Sequence, residues 1–181
     1  MASLSSFQNP AAYHLLSYGT LLSSTLFQSF IGGIIAFHIL PRPQFSTLQK
    51  HTFPVYFILQ SVCPVLMALT YPSGSVALLP NQHAQNTDDR LAFTLMTTIL
   101  ITGLANMLYV GPQTTRVMGL RKHQETKDRK RSVDKGPHSK EMQALNKRFG
   151  MLHGVSSLVN LVGFLGMCWY GVLLGDLGFG R

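Results

Sequence analysis

Apolar residues run along this chain in four long stretches, separated by short polar or helix-breaking segments. No Lys, Arg, Asp or Glu occurs in residues 1–41, 51–87, 91–115 or 149–175. A helix bathed in water needs a polar face, whereas one that crosses a bilayer needs about 20 predominantly apolar residues. The pattern therefore predicts an all-α fold, an integral membrane four-helix bundle forming a single domain over 1–181. Its spans fall at about residues 14–40, 54–71, 91–110 and 149–174.

Breakers and caps set the expected ends. Pro41 and Pro43 flank Arg42 and close the first span, since proline removes a donor and clashes with the preceding turn. Gln44 to Thr52 reads as a short surface segment with an apolar edge at Phe45 and Leu48. Thr52 is then placed to cap the second span, with Pro54 in its first turn and Pro64 as a kink further along. Pro72 to Arg90 reads as a polar loop, and Asn86-Thr87-Asp88 is not a glycosylation acceptor. Gly111-Pro112 looks like a strong stop for the third span. Small residues four apart (Ser29/Gly33, Gly32/Ala36, Gly150/Gly154, Gly171/Gly175), with Gly163 and Gly166, offer faces for close helix approach. Trp169 and Tyr170 suit an interfacial belt. Met1 to Ala12 lacks the basic n-region of a cleavable signal, so the first span is expected to persist.

Charge adds orientation. Residues 113–148 hold eleven of the fifteen Lys and Arg residues and four of the seven acids, a net +7. Gly136-Pro137 should break any helix there, and Ser139 to Phe149 suits a short amphipathic helix entering the membrane. The Arg42–Lys50 linker carries +2 and the loop at 72–90 carries −1. The positive-inside bias then puts the linker and the long basic loop in the cytosol, and both termini on the non-cytosolic side. A net charge of +8 also invites a nucleic-acid reading. The excess sits in one loop between spans with no aromatic in it, so no nucleic-acid partner is expected. Anionic lipid headgroups are, at about 1 kcal/mol per Lys or Arg near the surface.

Candidate chemistry is sparse. No HExxH, GxSxG, P-loop or dinucleotide fingerprint occurs, and the spans hold none of the ionisable side chains that ion-coupled carriers bury. Thr94, Thr98, Thr102 and Asn106 recur every four residues on one face. Threonine hydroxyls can satisfy themselves on the i−4 carbonyl, but the Asn106 amide needs a partner elsewhere. Gln28 reads as an interhelical hydrogen-bonding residue. On the fourth span His153, Ser157, Asn160, Phe164 and Met167 are spaced to share a face. His38 and His153 could in principle ligate a haem, although an interfacial and a hydrogen-bonded histidine is the preferred reading. Cys63 and Cys168 have no metal or redox spacing. The Arg-Lys-Arg-Ser run ending at Ser132 suits a basophilic kinase but is a common tetrapeptide.

Three stretches carry a family resemblance: LPRPQFSTLQKHTFPVYF (Leu40 to Phe57), NMLYVGPQTTRVM (Asn106 to Met118) and FGMLHGVSSLVNL (Phe149 to Leu161). In order and content they resemble the transmembrane protein 205 family. Matching positions are Pro41, Arg42, Gln49, Phe53, Pro54, Tyr56, Asn106, Pro112, Thr114, Thr115, His153, Gly154, Ser157 and Asn160; His38 is not a family position. The resemblance implies a four-span protein of undefined molecular activity and supplies no catalytic residues.

The expected protein is a multi-pass membrane protein without catalysis, metal or cofactor, in an endomembrane or the plasma membrane. It would act as an organising, adaptor or trafficking component through its cytosolic face. Alternatives are a facilitative transporter or pore lined by the polar face of the third helix, and a haem-binding membrane oxidoreductase. Arg42, Gln49, Tyr56, Asn106, Thr114, Thr115, His153, Ser157 and Asn160 form the expected polar cluster near the cytosolic helix ends. Small-residue faces would serve a homo-oligomer or other membrane proteins.

Overall fold

The computed structural model describes residues 8–71 and 87–179; the Pro72 to Asn86 part of the expected polar loop lies outside them. Four long helices make up the fold: α1 (Pro10–Ile39), α2 (Arg42–Leu69), α3 (Thr87–Asp128) and α4 (Lys140–Phe179). Each packs antiparallel against the next in sequence, and α1 also touches α4, closing an up-down-up-down bundle. All four are long and apolar enough to cross a membrane. Leu16, Ile39, Leu69, Ile101, Leu158 and Val172 turn outward with more than half of their surface uncovered. A sleeve of exposed aliphatic side chains is untenable in water and is what lipid requires.

Three expected boundaries move. Helix α2 starts at Arg42, just after Pro41, so the linker from Gln44 to Thr52 is its opening turns. Thr52 caps nothing; its Oγ1 donates to Leu48 O at 2.9 Å, one turn back. The polar residues of this stretch had suggested a surface segment, but they fit equally well on a helix that has not yet entered lipid. Helix α3 runs through Gly111-Pro112 without stopping. A π turn at Asn106–Val110 widens the backbone ahead of the proline, with Gly111 N–H donating to Asn106 O five residues back. The wider turn relieves the clash that proline makes with the carbonyl four residues earlier. A second π turn occupies Phe27–Gly32 in α1.

The third correction concerns the basic segment, which is mostly helical. Helix α3 continues to Asp128, where Arg129 takes a left-handed φ of 52°. Helix α4 begins at Lys140, with Ser139 Oγ accepting from Met142 N at 3.2 Å as an N-cap. Only residues 129–139 are irregular, including Gly136 with φ 102°. The result is a helical hairpin continuous with the bundle.

Glycines mark the close approaches, at Gly163 and Gly171 as the spacing suggested and at Gly103, which it did not single out. A Cβ on Gly103 would lie 2.9 Å from Gln60 O, so α2 and α3 meet backbone to backbone there. A Cβ on Gly163 would lie 2.7 Å from Thr102 Oγ1, and one on Gly171 would collide with the Tyr18 hydroxyl. Among the described residues, nothing lies within 4 Å of a Cβ placed on Gly150, Gly154 or Gly175. Helix α4 is thus pressed against its neighbours by its middle glycines, and the Gly150/Gly154 face is free.

Candidate functional site

The interior of the bundle is divided along its length. At the end away from the hairpin, Leu21, Cys63, Met67, Ala92, Leu95, Met96, Ile99, Met167 and Leu173 form one apolar core with Tyr71 and Tyr170. Toward the hairpin, polar residues join the buried set beside Phe57 and Val110: Thr25 on α1, Gln49, Tyr56, Gln60 and Ser61 on α2, Thr102 and Asn106 on α3, and Asn160 on α4. Helix α2 shows the change most simply. Its buried stripe reads Gln49, Tyr56, Gln60 and then Cys63, Met67, at the three-, four- and seven-residue steps that keep one helix face.

Within the polar half the expected residues are partly brought together. Asn106 Nδ2 donates to Asn160 Oδ1 at 2.8 Å, joining α3 to α4, and lies 3.5 Å from Ser156 O. The π turn starts at Asn106, so the same residue bends its helix and ties it to the next. Gln28 Nε2 donates to Gln49 Oε1 at 3.1 Å, and the Tyr56 hydroxyl lies 3.5 Å from Ser29 Oγ, so α1 and α2 are joined twice.

The others stand apart. Arg42 lies over the Phe37 ring at 4.0 Å. Thr114 Oγ1 donates to Val110 O within its own helix at 2.7 Å, and Thr115 is exposed. His153 stacks on Phe149 at 6.0 Å and, like Ser157, faces outward while Asn160 and Met167 are buried. The expected face of α4 is therefore split along the helix axis, exposed at His153 and Ser157 and buried at Asn160 and Met167, even though His153 and Asn160 lie within about 20° of each other around the helix. His38 is also exposed, edge-on to Phe37 at 5.7 Å. The threonine stripe spends its hydroxyls on its own helix: Thr94 on Arg90 O, Thr98 on Thr94 O and Thr102 on Ile99 O, each at 2.8 Å. Cys63 is buried among core residues and Cys168 faces outward.

Two features had no sequence signal strong enough to single them out. Gln60 is fully buried, and neither its Nε2 nor its Oε1 has a hydrogen-bond partner among the described residues; the same holds for Asn106 Oδ1. Gln60 follows Tyr56 by four residues, a spacing that could have placed it on the stripe. At the opposite end His14, nearly fully buried, links three helices. Its Nδ1 lies 2.9 Å from Met67 O and its Nε2 2.7 Å from the Tyr170 hydroxyl. A carbonyl only accepts, so Nδ1 carries the proton and Tyr170 donates to Nε2. Tyr18 donates to Met167 O at 3.1 Å and Tyr71 to Asp89 Oδ1 at 2.8 Å around it.

The hairpin is itself ordered by tertiary contacts. Arg121 donates from Nε to Asn146 Oδ1 at 2.9 Å and covers the Phe149 ring at 4.4 Å. Burial draws its pKa below the ordinary guanidinium value and Glu125 pulls the other way; it stays charged. Asn146 Nδ2 donates to Ser132 O at 3.1 Å, Ser132 N to Glu125 Oε1 at 2.7 Å, and Ser139 Oγ to Asp128 Oδ2 at 2.6 Å. Val117 and Met142 are fully buried between the arms.

Four membrane-length apolar helices in an all-helical bundle define an integral, multi-pass membrane protein. The chain belongs to the family described as Domain of unknown function (DUF4149), whose pattern matches residues 16–123. It is 32% identical over 173 residues to Xanthocillin biosynthesis cluster protein D of Aspergillus fumigatus, covering 96% of this chain and 94% of that protein. No solved structure matches it.

Proposed function

We propose that this protein is a non-catalytic organiser or adaptor of its membrane, working through the basic hairpin on the cytosolic side. The observation that carries the reading is the hairpin's preformed tertiary structure. A loop that merely joined two spans would not need Arg121, Asn146, Ser132 and Glu125 tied across its arms. A surface ordered before binding loses less entropy when a partner docks. Its net charge of +7 against −1 for residues 72–90 supports the cytosolic placement and contact with anionic lipid. The open Gly150/Gly154 face supports association with a second copy or another membrane protein. The name of the fungal relative ties that protein to xanthocillin biosynthesis, and holding biosynthetic proteins at a membrane is a role this fold could fill. Within the wider family, the three sequence anchors favour a place near the transmembrane protein 205 proteins.

Proximity labelling from a tag in residues 129–139 tests the reading. The expected result is a set of cytosolic neighbours that a C-terminal tag does not label. That set should shrink when Lys127, Arg129, Lys130 and Arg131 are changed to Gln. Identical neighbours from both tags, unchanged by charge removal, would refute it.

A further inference from the structure

We infer that Ser132 is a phosphorylation site for a protein kinase that selects basic substrates, and that its phosphate unlocks the hairpin. Residues 129–139 are the stretch of the hairpin that lies outside a helix, where an enzyme can draw the backbone into its cleft. Arg129, Lys130 and Arg131 precede Ser132, and Arg129, Arg131 and Val133 are exposed around it. Cations two and three residues before the hydroxyl suit the acidic pocket by which one class of kinases chooses its substrates. Such a run is common in sequence, and its place in this fold is what gives it meaning.

Both arms of the hairpin are tied at Ser132, through its backbone. Its N–H donates to Glu125 Oε1 at 2.7 Å on the α3 arm, and its carbonyl accepts from Asn146 Nδ2 at 3.1 Å on the α4 arm. Asp134 Oδ2 accepts from the adjacent Arg131 N–H at 3.0 Å. The hydroxyl thus belongs to a turn held by two carboxylates. On phosphorylation Ser132 Oγ attacks the γ-phosphorus of ATP, and the Oγ–P bond forms as the bond to the bridging oxygen breaks. ADP leaves with that electron pair and the hydroxyl proton passes to the kinase's catalytic carboxylate. The product carries about −1.5 to −2 charge at pH 7 and repels neighbouring acids, so Glu125 is driven off the Ser132 amide. Arg129 and Arg131 are exposed and offset the phosphate only weakly through water. Arg121 is engaged with Asn146 and the Phe149 ring, and turning it toward the phosphate would break the same cross-tie. The hairpin's net charge also falls from +7 to about +5, which weakens its hold on anionic lipid. Phosphorylation here would regulate the adaptor surface, so the inference rests on that reading and on its cytosolic hairpin.

Full-length protein in phosphatidylcholine nanodiscs, where both faces are open to solvent, provides the test. It is incubated with ATP and the catalytic subunit of a kinase that selects Arg three residues before Ser. Phosphate should appear at Ser132, be absent from Ser132→Ala, and form about tenfold more slowly in Arg129→Gln, which loses one charge pair with the kinase. Amide hydrogen exchange over residues 125–146 should then speed about tenfold, the loss of one hydrogen bond to a charged group. In Glu125→Gln, whose side-chain oxygen still accepts from the Ser132 amide but carries no charge, phosphate should speed exchange by about twofold at most. No phosphate at Ser132, exchange unchanged or slowed by it, or equal acceleration in Glu125→Gln would overturn the inference. The adaptor reading fails separately, since labelling of the hairpin from the non-cytosolic side would remove it without altering the nanodisc result.

Discussion

Replacing His14 by Phe is the sharpest test of how the bundle is held together. Helix α1 is the most exposed of the four, and His14 is where it grips both α2 and α4. His14→Phe keeps a ring in the core but removes both hydrogen bonds. Hydrogen bonds between membrane helices contribute about 0.6 kcal/mol on average and up to about 1.7, and an orphaned buried hydroxyl such as that of Tyr170 costs about 1–3 kcal/mol more. His14→Phe should therefore destabilise the fold by about 2–3 kcal/mol. Tyr170→Phe removes only the shared bond and should cost about 1 kcal/mol. The double variant should fall short of the sum by about 1 kcal/mol, the coupling expected of partners in direct contact. The assay is reversible unfolding of the purified protein in bicelles or mixed micelles, read for all four members of the cycle. Additive effects within about 0.3 kcal/mol, or single effects below about 0.5, would refute the assignment of His14 as a three-helix tie.

Other expectations follow from single contacts. Gly103→Ala places a methyl 2.9 Å from Gln60 O and should cost about 1–3 kcal/mol by forcing α2 from α3, whereas Gly154→Ala meets nothing and should stay within about 0.5 kcal/mol; parallel thermal melts compare them. Arg121→Met loses the Asn146 bond and the cover over Phe149, and should speed limited proteolysis within residues 111–148 while leaving the membrane core resistant. Asn160→Leu leaves Asn106 Nδ2 with only its long 3.5 Å contact to Ser156 O, with an expected loss of about 1–2 kcal/mol in the same unfolding assay.

The gaps in charge were enough to reveal four membrane-length helices, because lipid punishes ionisable residues more consistently than water rewards them. Local punctuation was less reliable. Gly111-Pro112 reads as a stop, yet the π turn beginning at Asn106 carries α3 past it, and a π turn has no sequence pattern of its own. The polar opening of α2 could not be told from a surface segment, since amphipathic helix and linker share that composition. Among site residues, Asn106 was legible because its amide cannot be satisfied within its own helix, and Asn160 proved to be its partner. His153 and Arg42 match the same family pattern but make ring contacts on the outside of the bundle. Gln60 and His14 were hidden for a physical reason: their meaning depends on which helices face them, and one helix's sequence does not state that.

The proposed function places the hairpin, and with it the adjoining half of the bundle, toward the cytosol. The direct measurement is side-resolved thiol labelling in sealed, oriented vesicles, with Ser132→Cys and His83→Cys each introduced into chains lacking Cys63 and Cys168. The account predicts that position 132 reacts only with reagent on the cytosolic side and position 83 only with reagent on the opposite side. Labelling of both from one side, or of position 132 from the non-cytosolic side, would contradict it.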